Sequence, residues 1–288
     1  MKNFKCQVNI ISRSDGASII QRSAYRSGQR ITDQETGKTH DYSHRKDVCF
    51  SYITAPEGSP EWSLYPEKVW NAAAAADTRK NSRLARELMI SLPAEFNYEE
   101  RALLVADIAH FLVGRYQVVV QADIHEPKIF SVEDLLKLND QHAVPMQSAP
   151  GFFHNENWHT HILFSTREMT PFGFGKKTRA LDDGKTGRLE IEKIRSAVAE
   201  MMNVKAREAG IDLFMHAKSA RRRGSPEIPT MPLGQKGHWA AKRGLPNATA
   251  ELNHRIKAYN ERATLVEADF DEFLRQPRFH KSSPGISL

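Results

Sequence analysis

Cysteine is nearly absent: Cys6 and Cys49 are the only two in 288 residues. Each sits inside an apolar, strand-like run. A disulfide framework is therefore excluded, as is a zinc site built on thiolates, and a reducing cytoplasm is the compartment that suits the composition. Long apolar runs are missing too. The opening stretch Met-Lys-Asn-Phe-Lys-Cys-Gln-Val-Asn-Ile-Ile alternates polar and apolar residues, unlike the uninterrupted stretch that a signal peptide or membrane insertion requires. No Gly-x4-Gly-Lys-Ser/Thr string occurs, which excludes a P-loop helicase or ATPase within these residues. If the natural protein has such a domain, this chain is expected to be a fragment of it. Internal repeats are absent as well.

What is present is a globular composition. The chain is 40% hydrophobic, enough to close the core of one large domain or two modest ones. Lys and Arg number 41 against 35 Asp and Glu, a formal charge of +6, which favours a nucleic acid or another polyanion as partner.

Periodicity assigns the elements. Strands are expected at Phe4 to Ser12, Val48 to Ile53, Arg83 to Leu92, Val118 to His125 and Trp158 to Thr166, and a hairpin over Arg30 to His40. Helices are expected at Ala17 to Gly28, at Pro66 to Lys80 with its five consecutive alanines, and at Tyr98 to Arg115, Gly187 to Ala209 and Thr249 to Arg275. Residues 126 to 156 form a long excursion with a helical patch at Val132 to Leu138, and long loops in compact domains are often functional. Beyond Lys218 the composition turns basic and rich in Gly and Pro. The expected organisation is a domain over 1–220, then a basic linker with a helical extension over 221–288. The fold class is α/β, a mainly antiparallel central sheet of about five strands flanked by helices in a two-layer or three-layer sandwich.

Residues i and i+2 of a strand share a face, so His159 and His161 in Asn-Trp-His-Thr-His-Ile-Leu-Phe present their imidazoles together. That is a chelating geometry, and equally that of ordinary half-buried strand residues. His125 closes the strand Gln-Ala-Asp-Ile-His. If that strand lies antiparallel beside 158–165, a three-imidazole site results. Such a site suits a borderline divalent ion and leaves positions open for water or substrate. With no anionic ligand the ion keeps its full charge for a phosphate oxygen. Asp123, on the same face as His125, either orients a ligand or caps a surface. Tyr25 lies in Ser-Ala-Tyr-Arg-Ser-Gly between Arg22 and Arg26. A phenol ionises only near ~10, so an attacking tyrosine needs cationic surroundings or a base; a helix tyrosine with its hydroxyl in solvent is the plainer reading.

Taken in order, Ser23-Ala-Tyr-Arg-Ser-Gly, His40-Asp-Tyr with Arg45-Lys, Trp70-Asn-Ala, Asn81-Ser-Arg-Leu-Ala-Arg-Glu with Leu92-Pro, Asp123-Ile-His and Asn157-Trp-His-Thr-His-Ile-Leu-Phe resemble the MobA/MobL family of plasmid mobilisation relaxases. These enzymes belong to the wider class with a His-hydrophobic-His metal strand. Coverage runs from residue 1 to about 245. The resemblance implies a DNA relaxase that uses Mg²⁺ or Mn²⁺ to nick and rejoin one strand at a plasmid transfer origin. Its intermediate is a covalent 5′-phosphotyrosine, and its partners are relaxosome accessory proteins and a type IV secretion coupling protein. Tyr25 matches the nucleophile, and His125, His159 and His161 match the metal ligands. The substrate would be single-stranded or hairpin DNA.

Glu87 would take the tyrosine's proton or orient a metal ligand, the alternative being an ion pair with Arg83 or Arg86. Tyr42 is a rival nucleophile in second place. Arg22, Arg26, Lys176 and Lys177, with Arg30, Arg179 and Arg221 to Arg223, would track phosphates, and Phe172 or Phe174 would stack on a base. Three readings compete: a rolling-circle replication initiator of the same chemical class, a non-catalytic, metal-containing DNA-binding accessory protein, and a hydrolytic metallonuclease.

Overall fold

The alternating runs build one antiparallel sheet. The structure, a computed structural model, describes residues 4–16, 18–127, 129–131, 146–149, 152–154, 157–231, 233 and 245–275. They fall into two compact units, one within residues 1–132 and 144–217, the other from Lys218 onward. The strands are β1 (Cys6–Ser12), β2 (Arg30–Thr32), β3 (Thr39–Asp41), β4 (Val48–Thr54), β5 (Arg83–Ser91), β6 (Val120–His125), β7 (Ile129–Ser131), β8 (Met146–Ala149), β9 (Phe152–His154), β10 (His159–Ser165), β11 (Arg167–Thr170) and β12 (Gly173–Lys177). The helices are α1 (Ile19–Ser27), α2 (Pro66–Ala76), α3 (Tyr98–Tyr116), α4 (Gly187–Glu208), α5 (Ala220–Arg223) and α6 (Ala248–Arg275).

The main sheet has five strands in the order β1-β5-β10-β6-β4, every neighbour antiparallel. It is an α/β fold of the expected class. Because side chains alternate across the sheet, its two faces carry separate cores. Leu88, Ile90, Ile124, Ile162 and Phe164 pack beneath α3 and α4, against Leu104, Ile108, Leu112, Ile194, Val198 and Met202. Ile11, Ala85 and Leu163 pack beneath α1 and α2, against Ile19, Ile20, Ala24, Val69 and Trp70. The arrangement has three layers, with β10 in the middle of the middle layer.

Helix α1 is specified locally. Ser18 caps it by accepting from the Ile20 N–H at 3.1 Å, and Ile19, Ile20, Ser23, Ala24 and Ser27 form its buried stripe. Gly28 ends it in the left-handed region at φ 64. A Cβ there would meet Val48 Cγ2 at 3.3 Å, so this stop calls for glycine on two counts. Helix α3 carries a capping box, Asn97 and Glu100 each bonding the other's backbone N–H.

The structure departs from the expected elements in three places. Helix α2 ends at Ala76 rather than Lys80. Arg13 takes the place of its next turn, donating to the Ala74 and Asp77 carbonyls, both at 2.7 Å, while the Asp77 side chain is drawn to Arg167 and Lys177. Residues 167–177, to which the sequence periodicity assigns no strand, form the hairpin β11–β12. Within the 126–156 excursion, β7, β9 and β8 make a small sheet; the helical patch expected at Val132 to Leu138 lies outside the described residues.

In the second unit, α6 holds an extended segment by paired amide bonds. Asn260 bonds both the N–H and the C=O of Ile228, and Asn253 does the same for Met231. The seven-residue spacing puts both asparagines on one helix face. Among the described residues no helix is long and apolar enough to cross a membrane.

The α1 face of the sheet is tied by a buried polar chain. The Gln121 carbonyl accepts from Ser23 Oγ of α1 at 2.7 Å and from Trp70 Nε1 of α2 at 2.6 Å. Its amide donates to Asp123 at 2.8 Å, and Asp123 also accepts from Ser51 Oγ at 2.7 Å. Gln121 and Asp123 are both fully buried. Gln121→Ala leaves the Trp70 N–H and the Ser23 hydroxyl without their acceptor and opens a void. We expect a loss of about 3 kcal/mol in urea unfolding, and no change in the midpoint would contradict this role.

Candidate metal centre

Three imidazoles converge where β6 and β10 run side by side. In register His159 lies opposite His125, and His161 opposite Asp123, so all three histidines share the α1 face. One ligand atom from each lies within 4.8 Å of the others, and the ring centroids are 5.0 to 5.2 Å apart. His125 and His161 are buried, and His159 is half-buried.

Each ring is oriented by one hydrogen bond, and the acceptors assign the tautomers. His125 Nε2 lies 2.7 Å from the Arg26 carbonyl, and His159 Nδ1 lies 2.8 Å from the Asn157 carbonyl. His161 Nδ1 lies 2.7 Å from Glu87 Oε1. Carbonyls and carboxylates accept, so these nitrogens carry the protons. Lone pairs remain on Nδ1 of His125 and on Nε2 of His159 and His161. Burial holds all three histidines below the ordinary range, His125 at about 3. Each ring is then neutral at pH 7 and ready to coordinate without losing a proton. The donor set fits a divalent ion.

Glu87 stands on β5 at the edge of this cluster. Burial pushes its carboxyl up, but hydrogen bonds from His161 and Arg26 prevail and hold it at about 2. Its ionic partner is Arg26, with Nε at 2.5 Å, rather than Arg83 or Arg86. Those two arginines bond Asp182 instead, both at 2.6 Å. Beneath the histidines Asp123 is pushed up to about 7 by burial, offset in part by hydrogen bonds from Ser51 and Gln121.

Arg26 joins α1 to this cluster twice, through its carbonyl to His125 and its guanidinium to Glu87. Tyr25, one residue earlier, faces outward and is 41% exposed. Arg45 lies over its ring at 4.0 Å and donates to its carbonyl at 2.6 Å. Arg45 is itself braced by Asp47. The ring of Tyr42 meets Tyr25 edge-on at 5.2 Å. Sequence reasoning quoted Arg45 only within a motif and gave it no role; a lone arginine in a loop carries no signal of what it will cover.

Of the expected phosphate contacts, Arg26 is occupied by Glu87. Arg22 lies on α1 with a buried Nε that lacks a partner among the described residues. Lys176 is 3.6 Å from Glu168 and well exposed, whereas Lys177 is bound to Asp77 at 2.9 Å. Phe172 is fully exposed at the hairpin tip, while Phe174 packs edge-on to Trp62.

The profile of the MobA/MobL family matches residues 17–243. A mobilization protein MobL from Acidithiobacillus ferridurans is 33% identical over 258 residues, covering 88% of this chain and 66% of that protein. A conjugal transfer protein TraA from Agrobacterium fabrum is 24% identical over 253 residues, covering 78% of this chain and 20% of its own length. The chain thus spans just under two thirds of the first relative and a fifth of the second. A solved structure on the molecular basis of vancomycin resistance transfer in Staphylococcus aureus shares the fold. Its TM-score is 0.58 at 23% identity, and the match covers 76% of this chain and all of that one.

Two outcomes are expected from the geometry. Glu87→Gln keeps the shape but removes the charge that fixes the His161 tautomer, and Mn²⁺ affinity measured by calorimetry should fall 10- to 100-fold; wild-type affinity would refute the orienting role. The second concerns acid. His125 titrates at about 3 in the folded chain against an ordinary 6.5, so the unfolded chain binds more protons between those values. In metal-free buffer, stability should be level above about pH 7 and fall as pH drops from 6.5 toward 3. The slope for this one group approaches about 1.4 kcal/mol per pH unit. Urea midpoints across pH test this, and His125→Gln should lessen the slope.

Proposed function

The chain belongs to the MobA/MobL family, and from that premise we propose that it is a DNA relaxase, nicking and rejoining one strand at a plasmid transfer origin through Tyr25. The observation that carries this reading is the double tie made by Arg26. It holds the helix bearing an exposed tyrosine directly against a cluster of three neutral histidines. Tyr25 is the sequence neighbour of the residue that contacts both His125 and Glu87, which supports reading it as the nucleophile.

In the proposed step Tyr25 Oη attacks the phosphorus of the scissile phosphodiester. An O–P bond to tyrosine forms and the P–O3′ bond breaks. The phenolic proton passes to solvent, and the departing 3′ oxygen takes one up. One phosphodiester replaces another, so no nucleotide cofactor is needed and the reverse attack by the 3′ hydroxyl rejoins the strand. A divalent ion, Mg²⁺ or Mn²⁺, held by His125, His159 and His161 would supply positive charge to the phosphate's non-bridging oxygens. The guanidinium of Arg45 over the Tyr25 ring favours the developing phenolate.

Glu87 serves as the positioning residue for His161 and Arg26. A carboxyl held at about 2 is too weak a base to take a phenol's proton efficiently. Tyr42 supports Tyr25 by ring contact, and its hydroxyl is engaged by the Gln21 amide at 3.2 Å. Single-stranded or hairpin DNA of the origin is the substrate, in the cytoplasm. Accessory proteins of the relaxosome and a type IV secretion coupling protein would act on the covalent complex.

Incubation with supercoiled plasmid and Mn²⁺ should yield protein joined to a 5′ end, detected as a denaturation-resistant adduct. Tyr25→Phe should abolish the adduct, a loss of at least 10³-fold, while DNA binding persists. Tyr42→Phe should retain it. An adduct formed by Tyr25→Phe would transfer the role to another residue, and cleavage leaving free 5′ phosphates would identify a hydrolytic nuclease instead.

A further inference from the structure

A second charged feature lies away from the histidines, at the opposite end of β5. There the end of α2, the start of β5, β12 and the loop after it enclose a cavity of about 580 Å³. Its walls carry Arg79, Arg83, Arg167, Lys177 and Arg179 against two carboxylates, Asp77 and Asp182.

Each carboxylate is shared by two cations. Asp77 takes both guanidinium contacts of Arg167 at 3.0 Å, and Lys177 at 2.9 Å. Asp182 takes Arg83 and Arg86, both at 2.6 Å. Arg86 is 1% exposed, and its Nε and Nη1 have no partner among the described residues. A buried guanidinium with two unsatisfied donors costs free energy, the surrounding excess of positive charge adds to that cost, and a nearby anion offsets it. Arg79 and Arg179 stand exposed on the rim with no side-chain partner among the described residues. The cavity is thus built of braced cations whose charge exceeds that of the carboxylates that brace them. Apolar ligands are excluded by such walls, and polyanions are favoured.

We propose that this cavity grips the sugar-phosphate backbone of DNA flanking the segment held at the histidines, an inference that rests on the relaxase reading above. Arg83 stands four residues before Glu87 on the same strand, roughly 13 Å at the rise of a strand. At about 3.4 Å per nucleotide along one strand of a duplex, that is a reach of about four nucleotides. Arg79 and Arg179 contact phosphates directly, with Arg167 and Lys177 held ready behind them by Asp77. The contacts are sequence-independent, and they would fix the register in which the DNA enters the site.

The test uses the full chain and two fluorescein-labelled probes of mixed sequence, a 30-nucleotide single strand and a 30-base-pair duplex, titrated by anisotropy over a range of NaCl. The double variant Arg79→Ala with Arg179→Ala should bind at least one probe more weakly. Its plot of log affinity against log salt should be flatter by about 2, one contact per arginine. Arg188→Ala with Arg207→Ala removes two exposed arginines of α4 and should leave the slope unchanged. Unchanged slopes for the first pair on both probes overturn the proposal. So does an equal flattening by the control pair, which would mean that only net charge matters. Should pyrophosphate raise the melting temperature of wild type alone while both slopes stay unchanged, the cavity is a small-anion site and the proposal falls. Wild-type protein that binds DNA yet never forms the tyrosyl adduct would sink the relaxase reading while leaving the slope comparison intact.

Discussion

The buried ion pair between Arg26 and Glu87 is the contact on which the site depends. It joins α1 to β5 across the face of the sheet, and the same arginine's carbonyl orients His125. Burying two charges costs several kcal/mol per ion unless further hydrogen bonds complete the geometry. His161 provides one of them on Glu87. The pair, the helix carrying Tyr25 and two of the three imidazoles are therefore linked as a single unit. The polar chain through Gln121 supports it from below, tying α1, α2 and β4 to β6.

Electrostatics differ sharply along β5. Near its C-terminal end, burial keeps three imidazoles neutral and pushes Asp123 up, so that the cluster presents lone pairs rather than charge. Near its N-terminal end, arginines and a lysine outnumber the carboxylates that hold them. A polyanion laid along the strand would meet diffuse positive charge at one end and a metal-binding pocket at the other. In the proposed reading the first arrangement would supply affinity that falls with salt, and the second would hold the ion that polarises the phosphate.

Much of the fold was legible because strands and helices are written in local periodicity. The five sheet strands and the longer helices lie close to where alternation and 3.6-residue spacing put them, since each must bury one face or stripe. Helix α2 stopped short because Arg13, 61 or more residues away, took its terminal carbonyls while Arg167, 90 residues away, drew off the Asp77 side chain; alanine propensity cannot anticipate that. The hairpin of β11 and β12 was missed because its sequence, with Gly173 at φ 108, is dominated by turn formers and has too few alternating positions to read as strands.

For the candidate site, residue chemistry and order along the chain were sufficient to single out Tyr25, Glu87, His125, His159 and His161 and to resemble one family. Types, spacing and sequential order are properties of the chain itself. Which strands neighbour one another is not. That β5 lies between β1 and β10, that His159 faces His125, and that Glu87 turns to Arg26 while Arg83 and Arg86 turn to Asp182 were decided only by the closed sheet. The physical reason is that pairing is settled by burying both faces of all five strands at once, a condition no single segment contains.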